Sequence, residues 1–295
     1  MTIQQAISEF LIEQQIRGNS PKTLRYYRNS LEQFAQYSGA DYVVASLTVQ
    51  HLRGYYVHLA DRGTLSTISI QTYIRALRAF LRWLYAEEYL TNNLADKFRL
   101  PKAQRKTVDV LTDDEAHQLM NCFNTRRILG LRDYCLCALM LDSGLRMHEA
   151  VTLTLEHLRL SEGFAIVDGK GNKQRIVPLG LNTRKALLRY IARRPLSVQT
   201  DSVFLMRDLC PISDNTVQLL FKRLKVKAGI PRLRAHLLRH TFATRYLQSG
   251  GDMYALQQIL GHTSLDMVKR YVHFTPGFWL SSHAYHSPLD NLLKR

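Results

Sequence analysis

Residues 164–179, which read FAIVDGKGNKQRIVPL, decide the fold class of this 295-residue chain. Two apolar runs, 164–167 and 175–179, have the β-branched composition of short strands. Gly169 and Gly171 lie between the runs and can adopt the positive-φ conformations that a tight hairpin turn requires. The segment therefore predicts a small antiparallel sheet.

The sequence on both sides of this hairpin is helical. The strongly apolar segment 128–142 predicts a buried helix that ends near Gly144. Helical periodicity continues downstream at about 182–194, 214–228, 235–249, 252–260 and 266–273. We therefore expect a mostly α protein whose second domain is α+β, with a small antiparallel sheet.

The first hundred residues predict helices joined by short turns. Ser20 can cap a helix whose first residue is Pro21. A later helix, from about Ser66 to Tyr89, presents three basic side chains on one face, at spacings of three and four: Arg75, Arg78 and Arg82. Such a face can contact DNA phosphates and guanine edges, or it can be a solvated surface, and this helix alone leaves both interpretations open.

A basic segment without apolar periodicity separates two parts of the chain. Residues 99–109 predict a linker, which either follows a DNA backbone or is a plain exposed tether, and its basic residues are Lys102, Arg105 and Lys106. Directly after it, Thr112 and Glu115 match a capping box that begins a new helix. We therefore expect a helical DNA-binding domain over 1–98 and a catalytic domain over 110–295.

The overall charge of the chain favours a polyanionic partner. Lys and Arg number 40 against 24 Asp and Glu, a net charge of +16, and each neutralised phosphate releases counterions. A basic protein without a special partner remains the alternative. The sequence has no signal-peptide pattern and no apolar run of roughly 18 residues. We therefore expect no membrane partner and a cytoplasmic, nucleoid-associated location.

Five short motifs follow one another along the second domain: SGLRMHE (143–149), GKGNK (169–173), HLLRHTFAT (236–244), LGHTS (260–264) and KRY (269–271). In this order they resemble the catalytic domain of the tyrosine recombinase (phage integrase) family, and the nearest members are the Xer-like, two-domain ones. The N-terminal part resembles the core-binding domain of that family in size, helicity and position. Leu237 stands where many relatives have Asp, which puts local hydrogen bonding in doubt.

Moving a phosphodiester from one alcohol to another requires a nucleophile, neutralisation of the phosphate oxygens and a proton donor for the leaving 5′-oxygen. Arg146 and Arg239 are the candidates for a phosphate clamp, because a guanidinium matches two phosphate oxygens and stays charged. The alternative for either arginine is a surface salt bridge. Glu149 lies three residues after Arg146 and can hold its side chain in place.

The resemblance assigns the remaining catalytic roles. Tyr271 is the nucleophile, and we expect the surrounding cations to stabilise its phenolate. By resemblance, His236 contacts the phosphate and helps Tyr271 to lose its proton, while His262 adds a hydrogen bond to the phosphate. Lys170 fills the family's lysine position and protonates the leaving 5′-oxygen; Lys173 competes for that role, and both lysines could simply bind phosphates. No metal or ATP is required.

Other interpretations of the histidines remain. His236 and His262 can each be capping or core residues. A zinc site of His236, His240 and His262 is disfavoured, because no glutamate follows the first histidine to serve as the base of a zinc hydrolase. His240 comes directly after Arg239, so we expect it to point elsewhere and to be structural.

The resemblance implies a site-specific recombinase that acts on double-stranded DNA at a specific recombination site. It implies a homo-tetramer on DNA, alone or with a second recombinase or accessory proteins, for integration or excision of a mobile element or resolution of DNA dimers. Residues 275–295 form a tail, which relatives dock on a neighbouring protomer; packing on its own domain is the alternative. A type IB topoisomerase-like or hairpin-resolvase activity and a non-catalytic DNA-binding protein remain rival functions.

Overall fold

A computed structural model describes the chain over residues 1–98, 108–169, 174–195, 198–272 and 283–293. The chain divides into two structural units, Met1–Lys106 and Thr107–Arg295. Within the described residues, no helix combines the length and the apolar character needed to cross a bilayer.

The N-terminal unit is helical, and its helices begin at capping side chains. Ser20 accepts a hydrogen bond from the backbone N–H of Thr23 and Pro21 follows it, so the predicted helix start is confirmed. The helix predicted over about 66–89 ends earlier, at Ala86. The helices are α1 (Ile3–Ile16), α2 (Pro21–Ser38), α3 (Val49–Asp61), α4 (Thr67–Ala86) and α5 (Leu94–Lys97), with a 3-10 turn at Val44–Ser46.

Helix α4 lies at the centre of this unit and contacts α1, α2, α3 and α5. Its apolar stripe is buried; Phe80, for example, packs edge to face on Phe10 with ring centroids 5.5 Å apart. Because this stripe faces the core, Arg75 and Arg82 lie on the exposed side of the helix. The first helix of the unit, α1, was not predicted from the sequence.

The C-terminal unit contains both helices and strands. Thr112 and Glu115 form both hydrogen bonds of the predicted capping box. The helices are α6 (Asp113–Asn121), α7 (Ile128–Asp142), α8 (Met147–Val151), α9 (Leu181–Ile191), α10 (Asp214–Lys227), α11 (Ala235–Gln248), α12 (Met253–Leu260), α13 (Asp266–Lys269) and α14 (Pro288–Leu293). The strands are β1 (Leu158–Arg159), β2 (Phe164–Asp168) and β3 (Gln174–Pro178).

Helix α7 is the buried centre of this unit and packs against α9 and α11. The three strands form one antiparallel sheet in the order β1-β2-β3, in which Ala165 pairs with Val177 and Val167 pairs with Arg175. The predicted fold class, mostly α with a small antiparallel sheet, is confirmed. The sequence did not predict the short edge strand β1.

Candidate active site

One buried carboxylate, that of Glu149, gathers three arginines. Its Oε2 accepts from the backbone N–H of Arg146 at 2.8 Å, and its Oε1 accepts from the Arg146 guanidinium at 2.7 Å. Arg175 donates to both oxygens, at 2.9 and 2.8 Å. Nη1 of Arg239 lies 4.0 Å from Oε2. Three guanidiniums therefore surround a single carboxylate, and the excess positive charge favours a bound anion.

The charge of this cluster is fixed at neutral pH. Burial alone raises the pKa of the Glu149 carboxyl, but the hydrogen bonds and charges of Arg175 and Arg146 outweigh burial and lower it to about 2. Burial and the charge of Arg146 lower the pKa of the Arg239 guanidinium to about 10. Glu149 is therefore an ionised support for the arginines and does not exchange protons near pH 7.

Two backbone carbonyls fix the direction of the Arg239 side chain. Its Nη1 donates to the carbonyl of Gly144 and its Nη2 donates to that of Leu260, both at 2.7 Å. Gly144 lies between α7 and α8 with a φ of 65°, a conformation that suits glycine. A Cβ at this position would lie 2.8 Å from Cδ2 of Leu260. A larger residue here would therefore displace the groups that hold Arg239.

His262 lies beside Arg239 in the turn that follows α12. Nη2 of Arg239 is 3.1 Å from Nε2 of His262, and a guanidinium can only donate, so Nε2 accepts. Burial and the charge of Arg239 lower the pKa of His262 to about 4, so the ring is neutral at pH 7 with its proton on Nδ1. Nδ1 has no hydrogen-bond partner in the described part of the chain. A phosphate oxygen can therefore accept a hydrogen bond from this N–H.

Tyr271 follows α13 and is 3% exposed. Its ring is nearly parallel to that of His262, with centroids 6.2 Å apart. Burial raises the pKa of the Tyr271 phenol, although the charges of Arg239 and Arg270 act to lower it. The cations therefore act in the expected direction, but desolvation of the phenolate outweighs their attraction and the pKa of the buried phenol stays raised.

The hydroxyl of Tyr271 lies 3.1 Å from Nδ1 of His240. The expectation that His240 points away from the other site residues is wrong, because its position on α11 directs the side chain towards Tyr271. Burial and the charge of Arg270 lower the pKa of His240 to about 4. The ring is therefore neutral at pH 7, and its Nδ1 can accept the phenolic proton in the tautomer that leaves it unprotonated.

The predicted catalytic residues fall into three groups. Arg146, Glu149, Arg239, His262 and Tyr271 form one connected cluster. His236 lies one turn before His240 on α11; it is exposed, and the two ring centroids are 6.3 Å apart. Lys170 and Lys173 lie outside the described residues. Within the described ranges, no three His, Cys, Asp or Glu side chains group in a way that could hold a metal ion.

Apart from Lys173, the predicted DNA-binding residues belong to the N-terminal unit and the linker. Arg75 is exposed and donates to Gln71 at 3.1 Å. Arg82 is exposed and lies 3.6 Å from Asp96, while Arg78 is half-buried. The three linker residues Lys102, Arg105 and Lys106 lie outside the described residues. Among the three described members of this set, Arg75 and Arg82 are the exposed ones and can best reach a phosphate.

Sequence reasoning missed two residues of the cluster. Arg175 alternates with buried Val177 along β3, so an arginine on the inward face of a strand was the signal that could have identified it. His240 lies four residues after His236 on one helix face, and this spacing was considered only for a metal site.

Comparisons with known proteins give matches over most of the chain. Residues 109–277 match the model of the phage integrase family, and residues 7–88 match the N-terminal SAM-like domain of phage integrase. The chain is 31% identical to tyrosine recombinase XerD of Halalkalibacterium halodurans, over 97% of this chain and 99% of that protein. It is 34% identical to tyrosine recombinase XerD of Staphylococcus aureus, over 90% and 93%. The Tn1549 transposon integrase, solved with a circular intermediate DNA, is similar in fold, with a TM-score of 0.79 at 20% identity over 97% of this chain and 99% of that one.

Proposed function

The chain belongs to the phage integrase family of site-specific tyrosine recombinases, and we propose that it cuts and rejoins DNA through a covalent bond between Tyr271 and a 3′-phosphate. DNA is its partner, and strand transfer is its reaction. The observation that carries the assignment to Tyr271 is its buried ring beside His262, which itself contacts the clamp residue Arg239.

In the proposed reaction, the phenolic oxygen of Tyr271 attacks the scissile phosphorus, and its proton passes to Nδ1 of His240, 3.1 Å away. Arg146 and Arg239 neutralise the non-bridging oxygens, and Nδ1 of His262 donates a further hydrogen bond. The bond from phosphorus to the 5′-oxygen breaks, and Lys170 gives that oxygen a proton. Because the phosphotyrosine keeps the energy of the phosphodiester, a second alcohol can reverse the step without ATP.

The two units divide the work in this proposal. The N-terminal helices bind the DNA, with Arg75, Arg78 and Arg82 on phosphates or bases, and the C-terminal unit performs the chemistry. Lys102, Arg105, Lys106 and Lys173 add phosphate contacts. The net charge of +16 supports a binding surface that includes residues beyond the catalytic cluster.

We further propose a homo-tetramer on DNA, in which four copies join two recombination sites. Helix α14 supports this assembly, because Leu289, Leu292 and Leu293 are exposed on it and offer an apolar surface to another copy. Native mass spectrometry of the protein on DNA tests it. Leu292→Asp should reduce the assembly to fewer copies, and an unchanged tetramer would argue against the role of α14.

Covalent capture tests the function itself. The protein is incubated with nicked genomic DNA fragments from the organism that encodes it, covalent complexes are recovered in detergent, and the attached DNA is sequenced. We expect recurrent recovery of one sequence with the wild type and none with Tyr271→Phe, which should still bind DNA. Equal recovery with both proteins would refute the role of Tyr271. Strand exchange between two copies of the recovered sequence then separates recombination from DNA relaxation alone.

A further inference from the structure

Arg175 contacts two segments that are distant in the sequence and that both form the phosphate site. Its side chain is 11% exposed. Its two terminal nitrogens donate to Glu149, and its Nε donates to the carbonyl of Ile259 at 2.7 Å. No part of the proposed reaction requires Arg175 to contact the scissile phosphate.

The first contact reaches Arg146 through a shared carboxylate. Oε1 of Glu149 accepts from Nη1 of both Arg146 and Arg175, at 2.7 and 2.9 Å. Since a bidentate guanidinium fixes the plane of a carboxylate, Arg175 determines where Glu149 presents its acceptors to Arg146. A change at Arg175 therefore changes the direction of Arg146, the half-buried arginine of the clamp.

The second contact reaches Arg239 and His262 through the turn after α12. Ile259, whose carbonyl Arg175 binds, directly precedes Leu260, whose carbonyl Arg239 binds. Gly261 follows with a φ of 62°, and a Cβ there would lie 3.0 Å from Cδ of Arg175. The side chain of Arg175 thus packs against the turn that carries His262.

We propose that Arg175 is a positioning residue that holds the two arginines of the phosphate clamp and His262 in a single arrangement, an inference that rests on the proposed function. Lysine could not replace it, because three contacts in one plane require the guanidinium fork, whereas an ammonium is a single point of charge. A displacement of about 1 Å in such groups can slow a reaction on the order of 100-fold.

The test uses the full chain and a duplex that carries the sequence recovered by covalent capture. Arg175→Lys and Arg175→Gln are compared with Arg132→Lys, a matched control. Arg132 is a buried arginine of the same unit that pairs with Asp133 and the carbonyl of Leu205, outside the catalytic cluster. We measure single-turnover cleavage, DNA affinity by fluorescence anisotropy, and Tm. Cleavage should fall on the order of 100-fold in both Arg175 variants, with DNA affinity retained.

A second substrate separates positioning from general stability. A methylphosphonate at the scissile position removes a negative charge, so cleavage depends less on the clamp. The cleavage defect of the Arg175 variants should therefore be smaller on this substrate, as should that of Arg146→Ala. The cleavage rate of Arg132→Lys relative to the wild type should be the same on both substrates.

The proposal is overturned if the cleavage rate of the Arg175 variants falls equally on both substrates, or if these variants cleave like the wild type. It is also overturned if their slower cleavage is explained by a fall in Tm that Arg132→Lys shares. Failure of the wild type to cleave would instead overturn the proposed function, and this inference with it.

Discussion

The Nδ1 atom of His240 and the hydroxyl oxygen of Tyr271 are within hydrogen-bond distance, 3.1 Å apart. Tyr271 is buried and its phenol has a raised pKa, so the loss of its proton needs an acceptor close by. His240 is neutral at pH 7 because burial and Arg270 lower its pKa to about 4. The low pKa makes His240 a weak base, but its unprotonated Nδ1 is within reach of the phenolic proton at pH 7.

Substitution of His240 should slow the formation of the covalent complex. A positioned acceptor contributes roughly 100-fold or more to a proton transfer, so His240→Ala should lose about that factor in single-turnover cleavage. DNA affinity should not change. His117→Ala is the control, because His117 is an exposed histidine of α6 in the same unit. Wild-type cleavage by His240→Ala would show that another group receives the proton.

The two buried histidines should make the folded state sensitive to mild acid. The folded pKa values of His240 and His262 lie near 4, below the ordinary value of 6.5. The unfolded chain therefore binds more protons between these values, and the stability present above pH 6.5 is lost progressively as the pH falls towards 4. Urea unfolding across this range measures the loss. His240→Gln should reduce the slope, and an unaltered slope would contradict the shift at His240.

Glu149 should govern a separate, more acidic window. Its folded pKa of about 2 lies below the ordinary 4.5, so its contribution is present above pH 4.5 and is lost as the pH falls towards 2. The shift corresponds to about 3 kcal/mol at most. Urea unfolding of the wild type and Glu149→Gln at several pH values below 5 tests this. The wild type should lose stability more steeply, and parallel curves would rule the prediction out.

Gly144→Ala should destabilise the C-terminal unit by about 2 kcal/mol or more. The new Cβ would lie 2.8 Å from Cδ2 of Leu260 and still closer to the ring of Phe242. Gly250→Ala is the control for backbone strain alone, since Gly250 has a φ of 88° and open space around its Cβ position. Urea unfolding should give a clearly larger loss for Gly144→Ala. Equal losses would mean that packing at Gly144 adds nothing.

Arg75→Gln should weaken DNA binding and make it less sensitive to salt. An arginine that neutralises one phosphate adds about 0.9 to the slope of log affinity against log salt concentration, and the variant should lose that increment. Arg17→Gln is the control, because Arg17 is an exposed arginine of the same unit that pairs with Glu13 at 2.7 Å. Anisotropy titrations at several salt concentrations measure both. Identical slopes for Arg75→Gln and the wild type would exclude a phosphate contact.

Local signals in the sequence predicted much of the fold. Ser20 with Pro21 and Thr112 with Glu115 begin helices where the capping pattern indicates, because a cap depends only on neighbouring residues. The hairpin was predictable for the same reason. The end of α4 was harder to predict. Just after the helix, Glu88 has a φ of 61°, a conformation that residue type alone does not predict.

The sequence predicted which residues form the catalytic cluster better than it predicted their pKa values. The order of the motifs predicted Arg146, Glu149 and Tyr271 as site residues. The pKa of Tyr271, however, depends on burial, which the neighbouring sequence does not reveal. The contact of His240 depends on how α13 packs on α11, since the two residues are 31 positions apart. Arg175 was missed because it looked like an ordinary strand residue.

The sheet register connects ordinary core packing with the placement of a charge. Val177 is fully buried and Ile176 is 61% exposed, so the side of β3 that enters the core is the side that carries Arg175. A slip of one residue against β2 would turn Ile176 inward and send the guanidinium into solvent. The burial of Val177 thus fixes the register that positions Arg175 beside the clamp. A mutation that weakens the packing around Val177 should therefore impair cleavage, although no residue that contacts DNA is changed.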